Sequence, residues 1–100
     1  MQGNASVAAD VLASYAADAA MEVEGVRGLV EGRLPRQGAV RVTDEEGRMR
    51  IELHLELDWG ASAPEVGSTV QRRVADYLER MAGARPESVD VVVDEIGPVA

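Results

Sequence analysis

The sequence predicts an α+β domain: two helices packed on one face of a three- to four-stranded mixed sheet. The order is (β)αβββαβ, with the first and second strands short or marginal. Three observations lead there. Residues 48–59 alternate apolar and polar without a break, which is the period of a strand with one face buried and one face wet. Residues 62–83 carry a helix start, an apolar stripe at three- to four-residue spacing and a helix stop. An Ala-rich helical segment precedes the strands and a Val-rich segment closes the chain. Because the long strand has a single apolar face, both helices must lie on the same side of the sheet.

Residues 3–7 (Gly-Asn-Ala-Ser-Val) read as a short edge strand. A helix then runs from about Ala8 to Glu24, with Val11, Leu12, Tyr15, Ala16, Ala19 and Val23 on one face. Gly25 stands where a helix ends in a left-handed residue. Glu22 and Glu24 occupy the last turn, where the helix dipole disfavours negative charge. A sequence chosen only for stability would avoid them, so they are candidates for contact with a partner. Val26–Val30 is a marginal strand, and residues 31–37, with Gly32 and Pro35, form a loop.

Residues 39–43 alternate as a strand, and Asp44-Glu45-Glu46-Gly47 is a hairpin turn in which Gly47 takes positive φ. In the long strand, Met49, Ile51, Leu53, Leu55, Leu57 and Trp59 share the buried parity. Arg48, Arg50, Glu52, His54, Glu56 and Asp58 share the polar one. Ser62 caps the second helix, Glu65 is its capping-box partner and Pro64 fits the first turn. Val66, Val70, Val74, Leu78 and Met81 form the stripe, Gly83 ends it and Pro86 confirms the stop. Residues 88–96 form the last strand, parallel to its neighbour through the helical crossover. Val89, Val91 and Val93 share one face, while Val92 and Ile96 break the pattern.

One hundred residues make one domain, 1–100. No apolar run approaches the roughly 20 residues that span a bilayer, and the N-terminus lacks a signal peptide's basic start. The expected location is cytoplasmic, without membrane insertion. The chain has no Cys, so it has no disulfide, thiolate or cysteine metal site, and all ten of its basic residues are Arg. A net charge of −8 argues against nucleic-acid binding. Residues 25–50 carry +2 and the remainder −10, an asymmetry that reads either as two solvated faces or as a basis for head-to-tail contact in a homo-oligomer.

The polar residues offer little catalytic chemistry. His54 is the only imidazole. It reads as an exposed surface histidine; the sharper readings are a flat cation site with Glu52 and Glu56, or a pH-sensitive contact. Asp44, Glu45 and Glu46 lack calcium-loop spacing, and no Ser sits in a nucleophile elbow. No cofactor, metal or catalytic residue is therefore assigned. Gln71 borders the apolar stripe. It is either an exposed helical amide or a half-buried one that bonds loop backbone near Glu24-Gly25 and ties the helices together.

The run from Tyr15 to Val26, an Ala-rich helix ending in Glu24-Gly25-Val26, resembles the first-helix signature of the bacterial alkaline-shock-protein family, the envelope stress response family. A Gly-aliphatic-Val strand (38–42), Trp59-Gly60, Pro64-Glu65-Val66, Val70-Gln71, Val74 and Met81-Ala82-Gly83 follow in the family's order. The resemblance spans roughly residues 3–97. It implies a cytoplasmic protein linked to envelope stress and homeostasis, with no enzymatic activity and with a protein partner that in some members is membrane-anchored. The function expected is that of an interaction or scaffold protein. Its expected surfaces are the polar sheet face (Arg48, Arg50, Glu52, His54, Glu56, Asp58) and the acids Glu22 and Glu24. The second reading is a small-ligand sensor with a site between the helices and the sheet.

Overall fold

The structure, a computed structural model, describes residues 2–31 and 38–98, with side chains from Ala9 onward. Its elements are α1 (Gln2–Met21), β1 (Val26–Leu29), β2 (Val40–Glu45), β3 (Arg48–Leu57), α2 (Ala63–Ala82) and β4 (Ser88–Ile96). This is the expected α+β arrangement with one correction. The predicted strand over 3–7 is helix, because α1 already begins at Gln2. Once the Ala-rich segment has nucleated a helix, each added residue needs only one further bond. The predicted loop at 31–37 lies outside the described residues apart from Glu31.

β3 is the centre of the sheet. β4 pairs parallel to it from Arg50 to Leu57. β2 pairs antiparallel with residues 48–53 and β1 with residues 55–57. β4 occupies one edge of β3, so β1 and β2 lie end to end along the other. Together they act as one strand interrupted between Val30 and Gly38. The backbone of His54 spans the break: its N–H donates to Ala39 O (2.9 Å) and its carbonyl accepts from Val30 N (2.8 Å).

The β2–β3 turn is tighter than the four residues expected. Strand pairing continues to Glu45 and Arg48, leaving Glu46 and Gly47, both at positive φ (56° and 82°). Two such residues make the type I′ turn that matches strand twist.

The odd residues of β3 carry the core. Ile51, Leu53, Leu55 and Leu57 are buried against Val70, Val74 and Leu78 of α2 and Ala16, Ala19 and Ala20 of α1. Alanines on that face of α1 let the backbone approach closely. Trp59, expected on the buried face, is 62% exposed. The strand ends at Leu57, and Ala61 N–H then donates to Asp58 O (3.1 Å) with Gly60 at φ 88°. This type II turn swings the indole outward. Val11 and Met81 are also exposed rather than part of their helix stripes.

Helix α1 ends three residues earlier than expected. Glu22 and Val23 donate to Ala19 O and Ala20 O, i→i−3 bonds that tighten the last turn. Glu24 then lies beyond the helix and relieves the dipole conflict. Gly25 follows at φ 100°, and a Cβ there would stand 2.8 Å from Val66 Cγ2. The start of α2 is seated directly on this glycine. Ser62 caps α2 by accepting from Glu65 N–H (3.4 Å), but the reciprocal Glu65 side-chain bond is absent among the described residues.

Gly25→Ala should cost about 1–3 kcal/mol, combining backbone strain with displacement of Val66. Gly67→Ala, in mid-helix with open space around its Cβ, should stabilise by about 0.5–1 kcal/mol. Urea titration of both variants checks the pair.

Candidate functional site

The sheet face opposite the helices is formed by the even residues of β3 and their cross-strand neighbours. Arg41 on β2 is directly opposite Glu52, and its Nη2 donates to Glu52 Oε1 at 2.8 Å. Glu52 Oε2 lies 2.7 Å from His54 Nε2. On the other side of the ring, His54 Nδ1 bonds Asp94 Oδ2. The result is a chain of alternating charge, Arg41–Glu52–His54–Asp94, running from β2 across β3 to β4.

Asp94 reaches the ring because β4 is bulged there. Val93 pairs with Leu55 and Glu95 with Glu56, so Asp94 is the extra residue. A bulge re-aims the side chain it carries.

His54 is only 8% exposed and is the one buried polar residue among those described, which corrects the expectation of a surface histidine. No helix among the described residues covers this face. Neighbouring side chains bury the ring instead. Both ring nitrogens meet carboxylate oxygens, and with both carboxylates ionised only the protonated imidazole can donate on both sides. Burial alone lowers the imidazole's affinity for its proton, but the bonds to Glu52 and Asp94 outweigh it, and the net shift is upward from 6.5. The Arg41 and His54 bonds hold the Glu52 carboxyl below its usual 4.5.

The remaining predicted residues divide into two groups. Glu56 stays on this face but pairs with Arg27 of β1 at 3.4 Å, not with His54. Arg48 and Arg50 are exposed and stand 3.9 Å from Glu87. Asp58 is exposed past the end of β3, and its backbone N–H donates to Gly25 O. Glu22 and Glu24 are exposed on the helix side, away from this face. Glu22 lines an open groove of about 460 Å3 between the helices with Arg73, Asp76, Tyr77 and Arg80. Gln71 donates to Val89 O on β4 (3.0 Å), so it ties α2 to the sheet and not the two helices to each other.

Sequence reasoning missed Arg41, Asp94 and Asp90. Arg41 could have been found: a two-residue turn at Glu46-Gly47 fixes a register that sets Arg41 against Glu52. The trace of the bulge was the parity break at Ile96, which pairs with Leu57 beyond it.

Glu52, His54 and Glu56, weighed as an alternative cation site, do not converge. No group of three or more metal-ligating residues converges among the described residues. The two ring nitrogens of His54 point to carboxylates on opposite sides, and these cannot meet at one ion.

The pH dependence of stability follows in sign. A raised His54 value adds stability that is complete below 6.5 and lost as pH rises through the folded-state value. A lowered Glu52 value adds stability that is present above 4.5 and lost as pH falls through its depressed value. The melting temperature should therefore be highest between these limits and fall on the alkaline side. His54→Leu should flatten the alkaline limb and, by leaving Asp94 without a described donor and Glu52 with Arg41 alone, cost about 1–3 kcal/mol. Calorimetry across pH checks both.

Solved structures with a similar fold include a copper form of the MamM CTD, 16% identical, with 91% of this chain and 88% of that chain covered and a TM-score of 0.58. A cadmium form of a MamM CTD variant is 18% identical, covers 85% and 94% and has a TM-score of 0.56. At these identities the likeness is one of fold. A comparison with curated proteins finds no match. The sequence itself is more informative: residues 1–98 match a family of cell envelope-related function. The ordered motifs around Glu24-Gly25-Val26 and Trp59-Gly60 thus have the origin their resemblance implied, and the chain belongs to the alkaline shock protein family.

Proposed function

We propose that this chain is a non-enzymatic interaction module serving the cell envelope, and that it meets a protein partner through the polar face of its sheet. The observation that carries this reading is the organisation of that face. Among the described residues no helix covers it, and its charges are fixed by cross-strand pairing. Arg48 and Arg50, held only by long contacts to Glu87, are the groups free to turn toward a partner. They border a shallow depression of about 190 Å3 lined by Arg41, Thr43, Arg50, Glu52 and Asp90, and the Arg48–Arg50 side of the hairpin. Polar rims of this kind favour association rate and specificity over raw affinity.

His54 serves here as an internal support, since both of its ring nitrogens are bonded to carboxylates within the sheet. The copper and cadmium of the similar structures do not extend to this chain for the same reason. The ligand-sensor reading has no support in the core, because Ile51, Leu53, Leu55, Leu57, Val70, Val74 and Leu78 fill the space between helices and sheet. No helix among the described residues is long and apolar enough to cross a membrane. The family resemblance favours a membrane-anchored protein as the partner that this face meets.

Arg48→Glu/Arg50→Glu should abolish capture of the partner from an envelope fraction, or self-association by light scattering. Stability should stay within about 0.5 kcal/mol, as at other surface sites. Undiminished association of the folded variant would rule this face out.

A further inference from the structure

We propose that the outer edge of β4 is a docking site for an extended segment of another protein, basic on one side and apolar on the other. This rests on reading the chain as an interaction module, but it uses a surface separate from Arg48 and Arg50.

The backbone directions on β3 decide which groups of β4 are free. His54 and Asp58 turn their backbone groups toward β1 and β2, bonding Val30, Ala39 and Gly25. The odd residues of β3 therefore face β4, as the acceptance of Gly97 N–H by Leu57 O confirms. In a parallel ladder with Leu53 opposite Val91, Asp90 and Val92 then bond β3. Val89, Val91 and Val93 point their N–H and C=O groups outward. The Gln71 amide bears this out, since it finds the carbonyl of Val89 on that outer side. Val91 and Val93 have no described partner for their outward groups, and no strand among the described residues pairs there.

The side chains along this edge specify the occupant. Val91 and Val93 point to the helix side yet remain half-exposed, because the helices do not fully cover them. A neighbouring strand would bury them with apolar residues at alternate positions. On the opposite face the edge carries Asp90, a half-buried Val92, and then Asp94 at the bulge and Glu95 past it. Asp90 and Glu95 are exposed and take part in no described ion pair. A second copy pairing β4 to β4 would line up two sets of these acids, which like-charge repulsion disfavours. An incoming strand with Arg or Lys facing Asp90 and Glu95, and Val or Ile facing Val91 and Val93, satisfies backbone, apolar and charged groups together.

The test uses a synthetic peptide alternating Arg and Val, with amide exchange of the full chain read by NMR. Binding should slow exchange at the Val91 and Val93 amides by about tenfold or more. It should fail for Val91→Pro, which removes only an outward N–H, and weaken severalfold for Asp90→Lys. Both variants should keep the wild-type capture behaviour that Arg48→Glu/Arg50→Glu loses, so the two proposals fail separately. The proposal is overturned if the two amides stay unprotected, or if protection appears with concentration alone, which would mean self-pairing. Equal binding of a proline-interrupted peptide of the same charge, meaning unspecific attraction to an acidic protein, would also overturn it.

Discussion

The pairing of β3 along both of its edges is the constraint on which the rest of the molecule depends. Its odd residues must fill the core while their backbone groups bond β4. Its even residues must hold the polar face while theirs bond β1 and β2. No residue of β3 can slip by one position without exchanging the two faces. The tight Glu46-Gly47 turn sets the register on one side. The α2 crossover, docked through Val66 on Gly25, sets it on the other. The Arg41–Glu52–His54–Asp94 chain is a product of these two registers, since its members come from three strands that meet only when both are correct.

The legible part of this fold was the part governed by local periodicity. Twelve alternating residues announced β3, and Ser62, Pro64 and Gly83 bounded α2, because caps and strand parity are decided within a few residues. The illegible part was decided by distant neighbours. Strand alternation showed that His54 lies opposite the core, but its burial depends on Asp94, forty positions away and displaced by a bulge. Trp59 had the correct parity for burial, yet the strand ended two residues before it. The edge-strand reading of 3–7 failed because no neighbouring strand was available to pair with it, while the helix beside it could simply grow. Gln71 was legible as an amide that would find backbone, but not as to which backbone, since that required the place of β4 in the sheet.

The location of the buried histidine bears on how the two faces are coupled. A charged group removed from water costs several kcal/mol unless it is paired, and His54 is paired twice. Each pairing also reaches a place beside an interruption of the regular ladder. Glu52 lies beside Arg41 next to the interrupted β1–β2 edge, and Asp94 sits where the β4 ladder is broken by its bulge. The side chains thus bridge the two defects in the hydrogen-bonded sheet. This gives a physical reason for a polar chain at a face that hydrophobic packing does not cover.

The same logic describes the edge of β4. An unpaired edge is an aggregation hazard unless it is blunted, and here the blunting is uneven. Gln71 occupies the carbonyl at Val89, and the Asp94 bulge ends regular pairing after Val93. Between these two devices the outward groups of Val91 and Val93 form a short open stretch flanked by acids. Its length and charge exclude most chance strands, including a second copy of itself, while leaving room for one of opposite charge. Protection that stops short of the middle of an edge, with the charge arranged to select what enters, is what separates a recognition edge from one that is merely shielded.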